Sequence, residues 1–180
     1  SGTRELRETG KLSIKLKEKD ILIGVDLARD NQDIMLSTTD GKCLRFPVKS
    51  LRLFSGLNSG GVKGIKLEKN NFVVSLSILQ HSRIDMSIRQ EYLKSSSENR
   101  KNGSGFINNN DFEELQKKEE FILSVTSNGF GKRSSAYEYR ISNRGGKGIT
   151  GILTTPKNGK VIDSFVINEN DQIILVSDKG

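Results

Sequence analysis

The stretch that decides the fold runs from Ile34 to Gly41 and reads Ile-Met-Leu-Ser-Thr-Thr-Asp-Gly. The same order of apolar residues, small polar residues and a closing glycine returns at residues 122–129 and again at residues 173–180. Recurrence of one unit along a chain is typical of a repeat architecture. The fold is therefore predicted from the repeat rather than from any single motif.

The spacing of the copies gives the length of the repeat. Gly129 and Gly180 lie 51 residues apart, and a second recurring run, led by Gly10 and then by Gly61, has the same spacing. Gly41 and Gly129 lie 88 residues apart, which is one period plus one insertion. A period near 50 residues that is made of strand patterns is typical of a blade in a circular β array, with about four strands in each blade.

Each repeat reads as short strands joined by glycine-containing turns. Apolar and β-branched runs predict strands at residues 21–27, 33–37, 42–47, 62–67, 71–79, 161–167 and 172–177. Asp40-Gly41 and Asn128-Gly129 predict type I′ turns, in which both central residues need a positive φ. A glycine-rich loop is predicted at residues 55–61.

The repeat divides the 180 residues into one partial array of about three blades, and the fold class is all-β and propeller-like. The predicted parts are the tail of a blade at 1–20, a full blade at 21–70, a full blade at 71–160 and the start of the next blade at 161–180. The second blade carries an insertion at about 80–118, in which residues 87–94 and 110–116 are candidates for short helices. Because the insertion is rich in serine and asparagine, we expect it to be a solvated excursion.

Charge follows the period. Residues 40–67 carry net +5 and residues 128–160 carry net +6, whereas the segments that open the repeats, 17–39 and 161–180, carry −2 and −3. Equivalent segments occupy equivalent positions around a ring, so the pattern predicts a continuous positive stripe. Such a stripe suits a long, curved polyanion, and nucleic acid is the partner that this net +7 chain favours.

The residue types indicate which kind of nucleic-acid contact to expect. Aromatic residues make up 6% of the chain and do not alternate with the basic residues, which disfavours base stacking on a single strand. No recognition helix is apparent, which disfavours readout in the major groove. Contact with the backbone of a bent duplex remains, with glycine-rich loops that let main-chain N–H groups approach phosphates. The candidate contacts are Lys42, Arg45, Lys49, Arg52, Lys63, Lys66, Lys132, Arg133, Arg140, Arg144 and Lys147.

Residues for catalysis or metal binding are few. His81 is the single histidine and is predicted to be a surface residue, and Cys43 is predicted to be a small buried thiol. The neighbouring carboxylates, such as Asp30 and Asp33, lack the order of a calcium-binding loop and are predicted to form a solvated acidic edge. A single cysteine and an opening without Met or an apolar signal predict an internal piece of a longer protein in a reducing compartment, with no membrane span.

Several motifs together resemble the C-terminal domain of the DNA gyrase A protein. They are Asp26–Leu27, Gln32–Leu36, Asp40–Lys42, Arg45–Phe46, Gly61–Ile65, Asn128–Arg133, Glu138–Arg140 and Arg144–Gly148. The resemblance covers the chain apart from the insertion and implies a β-pinwheel, a propeller-like ring whose neighbouring blades exchange strands. The signature box of that family reads Gln-Arg-Arg-Gly-Gly-Lys-Gly. Arg144, Gly145, Gly146, Lys147 and Gly148 keep its last five residues and form a degenerate copy.

The resemblance also implies a function. The domain binds and wraps duplex DNA on its basic rim without sequence preference, in support of ATP-dependent negative supercoiling by a type II topoisomerase. This chain holds no catalytic residue under that interpretation, and the ATP and Mg²⁺ of the whole enzyme are handled elsewhere. The implied partners are double-stranded DNA, the gyrase B protein and a second copy of the gyrase A protein, in the bacterial cytoplasm at the nucleoid. Two alternatives stay open, the DNA-binding domain of topoisomerase IV and a propeller that serves as a protein-interaction scaffold.

Overall fold

The computed structural model describes residues 14–53, 61–102, 110–168 and 170–180, and the side chains in these ranges except at 99–102. Most of the predicted glycine-rich loop at 55–61 therefore lies outside the described residues. The elements in chain order are β1 (Gln32–Thr38), β2 (Lys42–Pro47), the 3₁₀ turn η1 (Val48–Ser50), β3 (Val73–Gln80), α1 (Met86–Asn102), α2 (Asn110–Lys117), β4 (Phe121–Thr126), β5 (Gly131–Ser135), the 3₁₀ turn η2 (Ala136–Glu138), β6 (Ile149–Thr150) and β7 (Val161–Ile167).

The strands form two antiparallel sheets, which confirms the all-β prediction. The first sheet has the order β3-β1-β2-β6 and the second has the order β5-β4-β7. β1 and β4 are inner strands of their sheets, and both come from the recurring stretch that reveals the repeat. In the first sheet Leu36 of β1 lies opposite Leu44 of β2 and Leu76 of β3.

Each sheet takes strands from two successive repeats. By sequence β3 opens the second repeat, yet it pairs with β1 of the first repeat, and β6 of the second repeat pairs with β2. β7 opens the third repeat and pairs with β4 of the second. This is the strand exchange that the resemblance implies. The sheets therefore cut across the boundaries that the sequence predicts at residues 70 and 160.

The main core lies between the two sheets. It contains Met35, Cys43 and Leu79 from the first sheet, with Ile122 from the second and Ala136 and Tyr139 beside it. A second cluster, formed by Ile34, Leu44, Phe46 and Ile65, covers the opposite face of the first sheet. Because both faces of β2 are covered, its four inner residues are all buried, and the side chains alternate between the two faces as its sequence predicts.

Three predicted strands do not form. Residues 62–67 run beside residues 144–146, where Lys66 donates from its backbone N–H to the carbonyl of Gly146, but they do not enter a sheet. Residues 21–27 and 172–177 have no partner strand within the described ranges, and their apolar side chains are exposed, with Val25 and Ile174 both 88% exposed. The physical reason is that a strand needs a neighbour to satisfy its backbone groups.

The tight turns differ from the predicted type I′. Gly41 has φ 76° and Gly129 has φ 81°, but the residues before them do not have a positive φ. The backbone N–H of Gly41 donates to the carbonyl of Thr38 at 2.9 Å, and that of Gly129 donates to Thr126 at 3.0 Å. Each loop therefore has three residues, a type I turn followed by a left-handed glycine.

The insertion is a packed helical pair and not the solvated excursion that its composition predicts. α1 and α2 contain the two predicted helices. They enclose a cluster in which the ring of Tyr92 lies edge-on to Phe112 at 5.6 Å and to Tyr137 at 6.1 Å, with Leu115 beside them. Tyr137 belongs to η2, so the insertion packs on the second repeat. Neither helix, within the residues described, has the length and apolar character needed to cross a membrane.

Candidate nucleic-acid interface

The glycine-rich segments of two successive repeats lie side by side. The backbone N–H of Gly145 donates to the carbonyl of Gly64, and Arg144 donates from its guanidinium to the carbonyl of Lys63 at 3.4 Å. Four predicted contacts are thereby brought onto adjoining backbone segments, and the side chains of all four are exposed. They are Lys63, Lys66, Arg144 and Lys147.

The conformation of this segment requires glycine at Gly148. Its φ is 73°, in the left-handed region, and a Cβ atom built there would lie 2.6 Å from the carbonyl oxygen of Cys43. A side chain would therefore strain the backbone and collide with β2. Gly145 has φ 80° as well. These glycines hold the loop that carries Lys147 close against the edge of the first sheet.

Two further cations converge on β6 and the residue after it. The ammonium of Lys42 donates to the hydroxyl of Thr150 at 2.8 Å, and the ammonium of Lys132 donates to the carbonyl of Gly151 at 2.8 Å. Lys42 comes from the first repeat and Lys132 from the second. The basic segments of both repeats thus meet along residues 144–151, in agreement with the charge pattern.

Arg45 is a correction to the predicted set of contacts. Its side chain is 1% exposed and forms an ion pair with the fully buried Asp33 at 2.9 Å. Its guanidinium also donates to the carbonyl of Ala136 at 2.8 Å and to that of Gln80 at 2.7 Å. Since Arg45 is enclosed between these groups, it cannot reach a phosphate, and the prediction was wrong for this residue.

Asp33 also differs from its predicted position. Asp33 was expected on a solvated edge, but its carboxylate is buried because Arg45 neutralises it. His81 is exposed, as predicted, and its Nδ1 lies 2.7 Å from the second carboxylate oxygen of Asp33. Cys43 is buried as predicted, and burial raises the pKa of its thiol.

The other predicted contacts are exposed, and Arg140 among them lines a small cleft together with Lys147 of the paired loops. Arg52 follows η1, and Arg140 follows η2. Lys49 lines a cleft of about 1020 Å³ between η1 and the insertion, where Arg83 and Lys118 also lie. Sequence reasoning missed the last two cations because the insertion has nearly balanced charge. Lys118 is neutralised by Glu114 at 2.7 Å, so the cleft adds little net charge.

Arg133 lies on the exposed part of β5. Its guanidinium carbon is 3.8 Å from the centre of the Phe121 ring, which is a cation–π contact. Tyr137 and Tyr139, which follow Arg133 along the chain, are buried. Burial is the main reason that the pKa of each phenol is raised, and for Tyr139 the pKa rises to about 12. Neither phenol ionises near neutral pH, so the charge on this surface comes from lysine and arginine.

Within the described residues, the side chain types that bind metal ions do not cluster. Across the described part of the chain, no three or more His, Cys, Asp or Glu side chains are arranged to hold a metal ion.

Comparison with known proteins identifies the family to which this architecture belongs. The family model of the DNA gyrase C-terminal domain, a β-propeller, matches residues 4–29, 32–80 and 120–168, and so leaves most of the insertion outside. The DNA gyrase A protein of Granulibacter bethesdensis is 38% identical over 205 residues, which cover 100% of this chain and 22% of that protein. The DNA gyrase A protein of Escherichia coli is 33% identical over 175 residues, covering 97% of this chain and 16% of that protein.

Among solved structures, the C-terminal domain of DNA topoisomerase IV has the same fold, with a TM-score of 0.60 at 20% identity over 87% of this chain and 38% of that one. Antiparallel blades that exchange strands between repeats define a propeller-like repeat domain. The chain belongs to the family of DNA gyrase C-terminal domains. It spans about a fifth of the length of the gyrase A proteins that it matches.

Proposed function

We propose that this chain binds double-stranded DNA without sequence preference and wraps it along the surface formed by residues 144–151 and the neighbouring lysines. The observation that carries the proposal is the meeting of basic segments from two repeats on adjoining backbone. Leaving Arg133 aside, Arg45 is the one predicted contact that forms an ion pair with an acid among the described residues. The charge of the remaining ones is available to phosphates.

The affinity would come from the release of counterions from the DNA. Each phosphate that a lysine neutralises makes the slope of log K against log salt more negative by about 0.9. The glycines beside Lys147 would let backbone N–H groups approach the same phosphates. Because aromatic residues do not alternate with these cations in the sequence, stacking on bases would not contribute, and the weak specificity that remains would arise from the deformability of the duplex.

The wider role follows from the relatives, which are named as the A protein of DNA gyrase. In the complete protein, wrapping would present a crossed DNA segment for strand passage and so support ATP-driven negative supercoiling. The gyrase B protein and a second gyrase A protein would be the protein partners, and the site of action would be the bacterial cytoplasm at the nucleoid. The chemistry of cleavage and ATP hydrolysis would be carried by other parts of the enzyme.

The first experiment is a salt titration of the binding of the complete protein to a long duplex. Lys63→Gln, Lys66→Gln and Lys147→Gln combined are expected to reduce the magnitude of the slope by about 2.7, because three phosphate contacts are lost. Lys94→Gln, on the exposed face of α1, is the matched control and should leave the slope unchanged. An affinity that hardly varies with salt would contradict the proposal.

A second experiment tests wrapping separately from binding. A nicked circle is sealed by ligase in the presence of the complete protein, and the linking number of the product is measured. Wrapping should shift the linking number in proportion to the protein bound, and the triple lysine variant should shift it less at equal occupancy. Binding with no shift would indicate contact without wrapping.

A further inference from the structure

An exposed phenylalanine and a lysine flank the tight turn at the end of each sheet. In the first sheet Phe72 directly precedes β3, and Lys42 is the first residue of β2. In the second sheet Lys160 directly precedes β7, and Phe130 directly precedes β5. The pair of residue types therefore occurs twice, with the ring and the lysine in exchanged positions.

Backbone hydrogen bonds show that these positions are equivalent in the two sheets. The backbone N–H of Thr39 donates to the carbonyl of Phe72 at 2.9 Å, and the backbone N–H of Ser127 donates to the carbonyl of Lys160 at 2.8 Å. On the other flank, the residue in question directly follows the turn glycine in both sheets. The same two positions are thus presented by two successive repeats.

Both phenyl rings face solvent. Phe72 is 66% exposed and Phe130 is 41% exposed, and the ammonium of Lys157 lies 5.8 Å from the centre of the Phe130 ring. An isolated apolar side chain on a protein surface is ordinary and needs no explanation. A ring that returns beside a lysine at equivalent positions of two repeats indicates a shared role.

The turn ends adjoin the surface that we propose for DNA. Residues 150–161 leave the end of that surface at β6 and pass both turns. The hydroxyl of Thr154 donates to the carbonyl of Asp40 in the first turn at 3.3 Å. The side-chain amide of Asn128 in the second turn donates to the carbonyl of Lys157 at 2.9 Å. The proposed DNA surface therefore continues over both turns.

The charge at the turn ends favours the same polyanion. Lys42, Lys157 and Lys160 lie here. The acid of the first turn is Asp40, whose carboxylate accepts a hydrogen bond from the hydroxyl of Thr38. In the second turn a neutral asparagine stands at the equivalent position. Phosphates can therefore approach the lysines on either side of each ring.

We propose that Phe72 and Phe130 are apolar wedges that enter the minor groove of the wrapped duplex and bend it. A wedge between two base steps partly unstacks them and kinks the duplex. In each sheet the ring and its lysine lie two strands apart, about 10 Å, so one duplex meets both. The wedge differs from the stacking that the sequence pattern disfavours, in which rings and cations alternate along a single strand.

This proposal rests on the proposed function and adds the means by which the duplex is bent. Pyrimidine–purine steps kink more easily than other steps, so the wedges also explain how deformability is read. The complete protein should therefore bind a duplex rich in such steps more tightly than an A-tract duplex of equal length. The preference should fall when both rings are removed.

The test measures unstacking and binding in the complete protein. A long duplex carries 2-aminopurine at its pyrimidine–purine steps, where the fluorescence of this base rises when the stack opens. Binding of the wild type should raise the fluorescence, and Phe72→Ala combined with Phe130→Ala should reduce the rise by at least about twofold. The salt slope should stay at its wild-type value, because no phosphate contact is lost.

Two controls separate the wedge from a general loss of apolar surface. Phe72→Leu combined with Phe130→Leu keeps an apolar wedge and should retain most of the rise. Met86→Ala removes an exposed apolar side chain from the start of α1 and should change neither measurement.

The outcomes distinguish this proposal from the proposed function. An undiminished rise in the double alanine variant would overturn the wedge. A wild-type protein that binds with salt-dependent affinity but leaves the fluorescence unchanged would also overturn the wedge, while the proposed function stands. A wild-type protein that does not bind the duplex would overturn the proposed function itself.

Discussion

Burial of the charges of Arg45 and Asp33 costs free energy, because both side chains are removed from water. Removing Arg45 leaves the buried carboxylate of Asp33 without its guanidinium partner, beside the imidazole of His81. Arg45→Gln should therefore lower the free energy of unfolding by about 3–5 kcal/mol, as measured by urea denaturation. Asp33→Asn added to Arg45→Gln should recover part of the loss, because the buried carboxylate that has lost its arginine is gone. A loss below about 1 kcal/mol for the single variant would contradict the assigned role.

The sequence alone did not reveal this pair. Asp33 reads as one of several acids on an edge, and Arg45 reads as one of a series of rim cations. The group that encloses Arg45 is Ala136, which lies 91 residues further along the chain. Contacts of that range depend on how the sheets stack, and the period of the repeat does not contain that information.

Glu120 links stability to pH. Its carboxylate accepts a hydrogen bond from the backbone N–H of Gln80 at 2.8 Å, and burial raises its pKa above the ordinary value of 4.5. A raised pKa in the folded state means that the folded protein binds the proton more tightly, so this contribution to stability is present below pH 4.5 and is lost as pH rises through the raised value. Glu120→Gln should accordingly raise the melting temperature at neutral pH.

The measurement is a series of thermal unfolding curves for wild type and Glu120→Gln between mildly acidic and mildly alkaline pH. The advantage of the variant should shrink as the pH falls toward 4.5, where the wild-type carboxyl takes up its proton. An advantage that is constant across the series would show that the ionisation of Glu120 is not its cause.

At the scale of elements, the insertion is held by a small aromatic cluster. Leu115 is 1% exposed and packs with Phe112 of the same helix against Tyr92 and Tyr137. Leu115→Ala should weaken the docking of the helices by about 2–5 kcal/mol, seen as faster amide exchange in α1. Glu113→Ala, on the exposed side of α2, is the control and should change stability by less than about 0.5 kcal/mol.

Helix patterns within the insertion are visible in the sequence, and both predicted helices form. Their packing is not visible, because the residue that completes the cluster is Tyr137, which lies in η2 outside the insertion. The turn type was also wrong for a local reason. Asp-Gly suits a two-residue loop, but the carbonyl of Thr38 accepts from the N–H of Gly41 and closes a three-residue loop instead.

At the scale of the whole molecule, the repeat and the all-β class follow from sequence, while the exchange of strands was implied by the family resemblance. The apolar segments at residues 21–27 and 172–177 are two of the three strand patterns that enter no sheet, and their apolar side chains are exposed. The first corresponds to β3 and β7, and the second corresponds to β1 and β4, which pair with them inside the molecule. The segment 21–27 of one copy is therefore complementary to the segment 172–177 of another.

We expect the 180-residue chain on its own to associate head to tail at these segments. Val25→Lys and Ile174→Lys each place a charge on an apolar strand pattern and should weaken the association. Sedimentation equilibrium over a range of concentrations measures it, with Lys94→Gln as a variant that should behave as wild type. A chain that stays monomeric at all concentrations would contradict this prediction.

The offset between repeat and sheet also bears on how such a molecule grows over evolutionary time. When one repeat is copied within a gene, the new copy supplies β3-like and β6-like strands to the sheet before it and receives the same from the copy after it. Every internal sheet stays complete after the duplication, and unmatched hydrogen-bonding groups occur only at the two ends of the array. An array of this kind is therefore lengthened by whole repeats, and no intermediate contains an incomplete sheet in its interior.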